Sequence, residues 1–378
     1  MKIAHICPFY YPSIGGVEKV VEELAKRQIK NGDDVHVYTS DWDKNSRIEL
    51  KEEVVNNVHI HRCFHWFKIS KFGSFWPSVF FKLLKEDFDI VHVHVSGHAH
   101  IFFASLYAKL KHIGLVHTTH CPWTDNYRPL YAKILLFFSY NIFGRISFKW
   151  TDKIIAITPW EIQFIKKYGG ENIIVIPNGV DNVFFNKIMP NNFKKKYKIK
   201  KKLVLFFGRL NITKGPEKFV ETAKEILKER QDICFLMRGP DEGMREEVKK
   251  SIKSYKDIIL LEETRNRKEV VEMYQAADLY VLPSFREGLP LTLFEAMAAG
   301  LPIVASPVNG IPYEMKDPEN GFLVEYGDIK NLKERIIKLL DNKKLAAKIS
   351  VNNINKAKKY KWDDIEKRYY KEYKTLLN

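Results

Sequence analysis

Pro283-Ser-Phe-Arg-Glu-Gly-Leu-Pro-Leu-Thr-Leu-Phe-Glu-Ala-Met-Ala-Ala-Gly300 follows the apolar run Leu279 to Leu282, and its reading decides the fold. The apolar run predicts a buried parallel strand, Arg286 to Pro290 a loop, and Leu291 to Ala299 a helix stopped by Gly300. Glu287 then stands at the carboxyl end of a strand and Glu295 on the helix that follows. In open α/β sheets, ligands collect beyond the carboxyl ends of strands, and the amino end of a helix favours anions. The expectation is a polar, phosphate-bearing ligand. Two glutamates eight residues apart are, taken alone, equally the pattern of two solvated charges.

Working outward, Lys2 to Cys7 reads as a strand, Pro8 to Gly16 as a loop, Val17 to Asn31 as a helix and Val35 to Thr39 as a second strand, a βαβ start. Gly15-Gly16 sits just before the helix, where missing side chains let backbone N–H groups approach a phosphate. The spacing is not G-x-G-x-x-G, and an isolated Gly-Gly also serves as a plain turn. Leu203 to Phe207 is another apolar strand, entering Gly208-Arg209-Leu210, with Lys214-Gly215 before a helix from about Pro216 to Glu229. Arg209 and Lys214 could offer a fork of donors and a point charge to a leaving diphosphate, or be surface cations of a basic chain. Val116-His-Thr-Thr-His-Cys121 ends one more strand at His120. In Ile173-Ile-Val-Ile-Pro-Asn-Gly-Val-Asp181, the residues Pro177, Asn178 and Gly179 are turn chemistry.

Together these segments resemble, over nearly the whole chain, the retaining GT-B glycosyltransferases of the large family 4-like group that includes phosphatidylinositol mannosyltransferases and sucrose synthases. The resemblance implies an α/β, GT-B fold, two Rossmann-like domains facing each other across a deep cleft that closes over the substrates. It implies that Glu287 contacts donor-sugar hydroxyls, with Gly288, Leu289 and Leu291 beside it, and that Glu295 takes the nucleotide ribose. Arg209 and Lys214 become the diphosphate clamp, Gly15 and Gly16 the loop facing donor diphosphate and acceptor, and His120 the imidazole between donor sugar and acceptor. The implied catalytic set is His120, Arg209, Lys214 and Glu287, Glu287 acting neither as nucleophile nor as general base. The implied reaction needs no metal and no cofactor and retains the anomeric configuration, the departing phosphate helping to deprotonate the acceptor.

Departures from the pattern bear on substrate. Leu260 to Arg265 lacks the glycine usual in the loop that holds the base, which leaves uridine, guanosine and adenosine diphosphate donors open. Pro290 lacks a backbone N–H and so one donor-sugar contact. The acceptor-facing segment with Trp123, Asp125, Tyr127 and Arg128 is where acceptor specificity is expected. No G-x-S-x-G, Walker loop, H-E-x-x-H or C-x-x-C is present, so serine hydrolase, nucleotide hydrolase, zincin and thiol-redox chemistry lack their usual mechanics. His92 and His94 would share one face of a strand near His98 and His100, permissive for a metal, but ligands of recognised spacing are missing and no metal is expected.

A chain of 378 residues, 45% hydrophobic, predicts two α/β domains, 1–182 on the acceptor side and 193–360 on the donor side, with a last helix over 362–377 crossing back onto the first. The net charge of +16 attracts anionic sugar donors, acidic lipid and nucleic acid alike. Lys194 to Lys202 is the densest cluster, either a solvated lead-in or a binding patch. His65 to Lys85 interleaves aromatic and basic residues, fitting a lipid interface or a helix packed on the sheet. Ile134 to Phe143 falls short of the roughly 20 apolar residues of a spanning helix. With no signal pattern and four scattered cysteines, the expected place is cytoplasmic, peripheral on the cytoplasmic face of an anionic membrane.

The function expected is retaining, metal-independent transfer of a hexose from a nucleoside-diphosphate sugar to a hydroxyl of a lipid-linked glycan or phospholipid headgroup, without nucleic acid as partner. The alternatives are a GT-B nucleotide-sugar epimerase or phosphorylase, and a basic nucleic-acid or membrane binding module without catalysis.

Overall fold

In the computed structural model, which describes all residues except 14, 44–45, 69–73, 121–122, 124–129, 187–190 and 378, the chain forms two compact units. One comprises Met1–Asn178 and Trp362–Asn378, the other Gly179–Lys361, so residues 179–182 lie with the second.

The first unit carries β1 (Lys2–Ile6), β2 (Asp34–Ser40), β3 (Glu52–Val55), β4 (Val58–Cys63), β5 (Phe67–Lys68), β6 (Ser74–Phe75), β7 (Ile90–His94), β8 (Gly114–Thr118), β9 (Lys153–Ala156) and β10 (Ile173–Val175). Eight of them form one sheet in the order β10-β9-β8-β7-β1-β2-β4-β3, parallel except for β3 at the edge; β5 and β6 pair separately. Strands buried on both faces are apolar on both, as β1 is at Ile3, Ala4 and Ile6, with His5 as its buried exception. One face packs Ala4, Ile6, Val91 and Val93 against Trp76, Val79, Leu83, Ile101 and Ala104. The other is unusual in carrying His5, His92 and His94, all fully buried.

That polar ridge is covered by two helices. Gly16–Lys30 buries Val20, Val21, Leu24 and Ala25 at helical spacing. Trp362–Lys374 buries Trp362, Ile365, Tyr369 and Tyr373 on one stripe and is tied down by Asp363 to Arg27 at 2.7 Å and by Arg368 to the Val175 carbonyl at 2.5 Å. The aromatic and basic stretch divides: Trp76, Val79 and Leu83 join the core, whereas Trp66, Phe67 and Phe81 stay exposed. Among the described residues, no helix is long and apolar enough to cross a membrane.

The second unit carries β11 (Lys202–Phe207), β12 (Ile233–Arg238), β13 (Ile258–Leu261), β14 (Leu279–Leu282), β15 (Ile303–Ala305) and β16 (Gly321–Leu323), all parallel, in the order β13-β12-β11-β14-β15-β16. Strand order reverses direction between β11 and β14, and beyond such a switch point an open crevice forms at the carboxyl ends. The core is a sandwich of Phe206, Phe235, Met237, Val281 and Val304 with Phe219, Ala223, Leu332 and Ile336 from the covering helices. The helix after β14 runs Leu291–Ala298 and terminates at Gly300, whose φ of +76° is left-handed.

Candidate active site

At the switch point, β11 ends in Phe207 and the chain turns through Gly208 and Arg209 into a single 3-10 turn, Ile212–Lys214, capped by the Asn211 side chain accepting from the Thr213 N–H at 2.9 Å. Gly215 follows with φ +68° and opens the helix Pro216–Leu227. A Cβ on Gly215 would lie 2.0 Å from the Pro283 carbonyl oxygen, so glycine is what lets this loop rest against the end of β14. That approach delivers Lys214 to Glu287: Nζ is 2.6 Å from both carboxylate oxygens, with Glu287 buried and the Lys214 side chain only 11% exposed. Ser284 Oγ donates to Glu287 Oε1 at 2.7 Å, and Asn309 Nδ2 donates to the Glu287 carbonyl. Burial draws the Lys214 ammonium below its usual pKa, against the pull of the Glu287 carboxylate. Arg209 sends Nη1 to Glu242 Oε2 at 2.8 Å, an oxygen that Asn211 also reaches at 3.3 Å. Two cations therefore converge beyond β11, each held by a carboxylate.

Glu295 occupies the helix Leu291–Ala298, whose amino end, at Pro290, has no side-chain cap. Its Oε1 accepts from Arg267 Nη1 at 2.9 Å and its Oε2 from the Tyr274 hydroxyl at 3.1 Å. Arg267 lies over the Phe184 ring, 4.5 Å from its centroid. Burial, reinforced by the Glu295 charge, raises the Tyr274 hydroxyl well above its ordinary pKa and keeps it a donor. Gly288, Leu289 and Leu291 belong to the same loop and helix start, and the Gly288 carbonyl accepts from the Gly310 N–H at 3.3 Å. Glu242, Ser284, Arg267 and Tyr274 were not singled out by the sequence; Ser284 reaches Glu287 within one loop, whereas the other three are joined to their partners only by the fold.

In the first unit, Gly15 is extended (φ −174°) and Gly16 begins the helix. A Cβ on Gly15 would meet the Glu18 carboxylate at 2.2 Å, while Gly16 has open space around it. Glu18 thus lays its charge over the amino end of its own helix, where the macrodipole favours an anion.

His120 follows β8 with φ +45° and begins a file of hydrogen-bonded groups. His120 Nε2 is 3.2 Å from His94 Nδ1, His94 Nε2 is 3.0 Å from His5 Nδ1, and His5 Nε2 is 2.8 Å from Gln28 Oε1. Burial drives His120 down to about 3 and His5 to about 4, and His94 well below its ordinary value, so each ring is neutral and carries one N–H. The Gln28 oxygen requires His5 Nε2 to donate, so His5 Nδ1 accepts from His94 Nε2, and His94 Nδ1 from His120 Nε2. His120 Nδ1 is left as a hydrogen-bond acceptor. In the same ridge, His92 Nδ1 faces the Tyr373 hydroxyl at 2.6 Å and Nε2 the Thr118 hydroxyl at 2.8 Å, so both of its nitrogens have protein partners; the ligand atoms of His5, His92 and His94 also lie within 4.8 Å of one another. His100 stacks on Trp76, centroids 4.2 Å apart.

Trp123 directs its indole N–H to Glu161 at 3.2 Å and stacks on Phe164 and Tyr168. Glu161 is fully buried, accepting also from Thr119 at 2.8 Å and from the Ile157 N–H at 2.7 Å. Asp125, Tyr127 and Arg128 lie outside the described residues.

The chain matches two family models, "Glycosyltransferase Family 4" over residues 14–183 and "Glycosyl transferases group 1" over residues 189–356. It is 28% identical over 387 residues to an uncharacterised glycosyltransferase of Methanocaldococcus jannaschii, covering 98% of this chain and 97% of that one. It is 30% identical over 279 residues, 70% of each chain, to the UDP-Gal:alpha-D-GlcNAc-diphosphoundecaprenol alpha-1,3-galactosyltransferase of Escherichia coli. Among solved structures, an Anabaena protein in complex with UDP and glucose superposes with a TM-score of 0.80 at 15% identity, over 99% of this chain and 100% of that one. Two parallel-sheet units, a switch point ringed by paired charges and these matches lead to one conclusion: the chain belongs to the GT-B glycosyltransferases of the family 4 type.

Proposed function

We propose that the protein transfers a hexose, with retention and without a metal, from a nucleoside-diphosphate sugar to a hydroxyl of a lipid-linked glycan or phospholipid headgroup. The observation that carries this is the convergence of Arg209 and Lys214 beyond β11, beside Glu287, at the switch point of the second unit. A bound diphosphate takes over donors that now serve Glu242 and Glu287, and the charge that grows on the leaving phosphate in the transition state meets two cations already in place. Glu287, relieved of Lys214, accepts hydrogen bonds from donor-sugar hydroxyls with Gly288, Leu289 and Leu291 alongside; Glu295 does so from the ribose. Gly15 and Gly16 offer backbone N–H groups to the diphosphate and acceptor. His120 presents Nδ1 to a sugar hydroxyl. The bond from the anomeric carbon to the diphosphate oxygen breaks as the acceptor oxygen bonds to the same face, its proton passing to the departing phosphate.

Two similarities support the substrate class: the E. coli relative is named for a UDP-sugar and a diphosphoundecaprenol-linked acceptor, and the Anabaena structure holds UDP and glucose. A membrane surface is the fitting source of such an acceptor. The helix Leu130–Phe138 leaves Leu130, Tyr131, Ile134, Leu135, Phe137 and Phe138 exposed, and a chain of +16 is drawn to anionic lipid.

The test is incubation of the purified protein with UDP-, GDP- and ADP-sugars and a polyprenyl-diphosphate glycan or phosphatidylinositol in vesicles, with chelator present. Acceptor-dependent release of nucleoside diphosphate and an NMR spectrum of the product with the donor's anomeric configuration are expected. Turnover of donor alone would make it an epimerase, dependence on inorganic phosphate a phosphorylase, and tight RNA binding without sugar-nucleotide binding a non-catalytic module. In calorimetry, Glu295→Ala should weaken donor binding about tenfold or more, the loss expected for a charge-assisted hydrogen bond; unchanged affinity removes the ribose assignment.

A further inference from the structure

Asp34 and His36 alternate along β2, so both side chains leave the same face of the sheet, and the parallel register sets His59 of β4 directly beside His36. The opposite face of these strands is apolar, with Val35, Val37, Val58 and Ile60 in one cluster. The polar face gathers at the amino ends of the strands, at the other end of the sheet from His120.

His36 is only 5% exposed, and among the described residues its Nε2 makes no well-formed hydrogen bond. Its neighbours decide which nitrogen carries the proton. Glu52, the cross-strand partner of His61, pairs with His61 Nδ1, which makes that nitrogen the donor and leaves His61 Nε2 to accept from His36 Nδ1 at 2.8 Å. His36 Nε2 is then a bare lone pair, facing Asp34 Oδ1 at 3.2 Å. Two acceptors so close repel unless a second proton or a cation stands between them.

A cation fits the spacing. His59 Nε2 lies 3.8 Å from the same Asp34 oxygen, and the three ligand atoms are all within 4.8 Å of one another. Bonds of about 2.0 to 2.1 Å in a tetrahedral site put ligand atoms roughly 3.4 Å apart, so small side-chain movements close the set. The surrounding charges also fit. Lys2 bonds Glu86 at 2.5 Å and stands 3.9 Å from Asp34 Oδ2; Lys82 bonds Glu52 at 2.5 Å; Glu86 Oε2 is 3.9 Å from His36 Nε2. Three carboxylates against two ammonium groups leave a negative surplus. Asp34 and His59 are each about half exposed, which gives an ion a path from solvent and a water the fourth position.

We propose that Asp34 Oδ1, His36 Nε2 and His59 Nε2 bind one zinc-class divalent cation, with His61 and Glu52 as the outer partners that aim the His36 ring. Two imidazoles and a carboxylate select zinc over magnesium or calcium, which take oxygen ligands. The ion joins β2 to β4 near the sheet edge and takes no part in glycosyl transfer.

The experiment is calorimetric titration of chelator-stripped protein with Zn2+, with Co2+ as the spectroscopic probe and thermal unfolding as a second readout. One ion per chain is expected, with a raised unfolding midpoint and the visible bands of tetrahedral cobalt. Asp34→Asn and His59→Gln, at half-exposed positions, should each weaken binding at least tenfold, and Glu52→Gln about 10- to 100-fold, as loss of an outer partner does. His112→Gln, an exposed histidine elsewhere, should bind like the parent. The proposal is overturned by absence of one-to-one binding, by binding undiminished in His59→Gln, by equal loss in His112→Gln, or by an NMR spectrum showing His36 doubly protonated at neutral pH.

Discussion

Lys214 and Arg209 stand in the same loop but differ in what they do for the protein without substrate. Lys214 is enclosed with Glu287, so Lys214→Ala leaves a buried carboxylate with Ser284 as its remaining donor, a change that costs about 3 to 5 kcal/mol. Arg209 is more than a third exposed and Glu242 keeps Asn211 as a donor, so Arg209→Ala should cost less, about 1 kcal/mol. Both should lower kcat about 100- to 1,000-fold, the usual loss for a donor aimed at transition-state charge. Chemical denaturation and steady-state kinetics on the two variants separate these effects; equal destabilisation by both would contradict the burial argument. Gly215→Ala forces a Cβ against the Pro283 carbonyl at a left-handed φ, and should lower stability by at least about 1 kcal/mol and turnover with it. A crystal structure of that variant with the Lys214 to Glu287 pair undisturbed would refute the steric account. At this scale the sequence showed which side chains carry charge and where the glycines fall, but not their companions. Glu242 sits 33 residues from Arg209, and Gln28 is 23 residues from His5, and no local pattern encodes such pairings.

The strands and helices that place these residues were the most legible part of the chain. Leu203 to Phe207 and Leu279 to Leu282 are unbroken apolar runs because parallel strands are covered on both faces, and Gly300 ends its helix by taking a backbone conformation that other residues resist. Less legible was the aromatic and basic stretch, where alternate residues went to the core and to the surface, so a single amphipathic reading could not serve. The histidine-bearing strands β1, β7 and β8 give a testable pH dependence. His5 and His117 are each depressed by burial from 6.5 to about 4, His117 despite its hydrogen bond to the Val95 carbonyl. The unfolded chain therefore binds more protons between those values. Stability is complete above pH 6.5, falls as pH drops towards 4, and loses roughly 3 kcal/mol for each ring. Urea unfolding midpoints should be flat from pH 7 to 8 and should decline from pH 6.5 to 5, before most carboxylates titrate. A flat profile across that window would mean that these rings are not buried as neutral groups.

For the molecule as a whole, the two-domain α/β plan was readable from length and repeated strand-to-helix patterns, whereas the acceptor was not, because no motif of fixed spacing encodes the loop side chains that would meet it. The exposed apolar helix and the net charge of +16 predict co-sedimentation with anionic but not zwitterionic vesicles. Binding should weaken as salt rises from about 0.1 to about 0.5 M, and the pair Phe137→Ser and Phe138→Ser should reduce it severalfold without altering the unfolding midpoint. Equal binding to both vesicle types would leave charge no role. The helix Trp362–Lys374 carries a consequence for biosynthesis. Tyr373 closes the hydrogen bond on His92, and Trp362, Ile365 and Tyr369 cover the ridge, yet all emerge from the ribosome after the whole of Gly179–Lys361. Nascent chains stalled before Trp362 should thus hold a folded second unit beside an unfinished first one, with buried imidazoles still open to water and to chaperones.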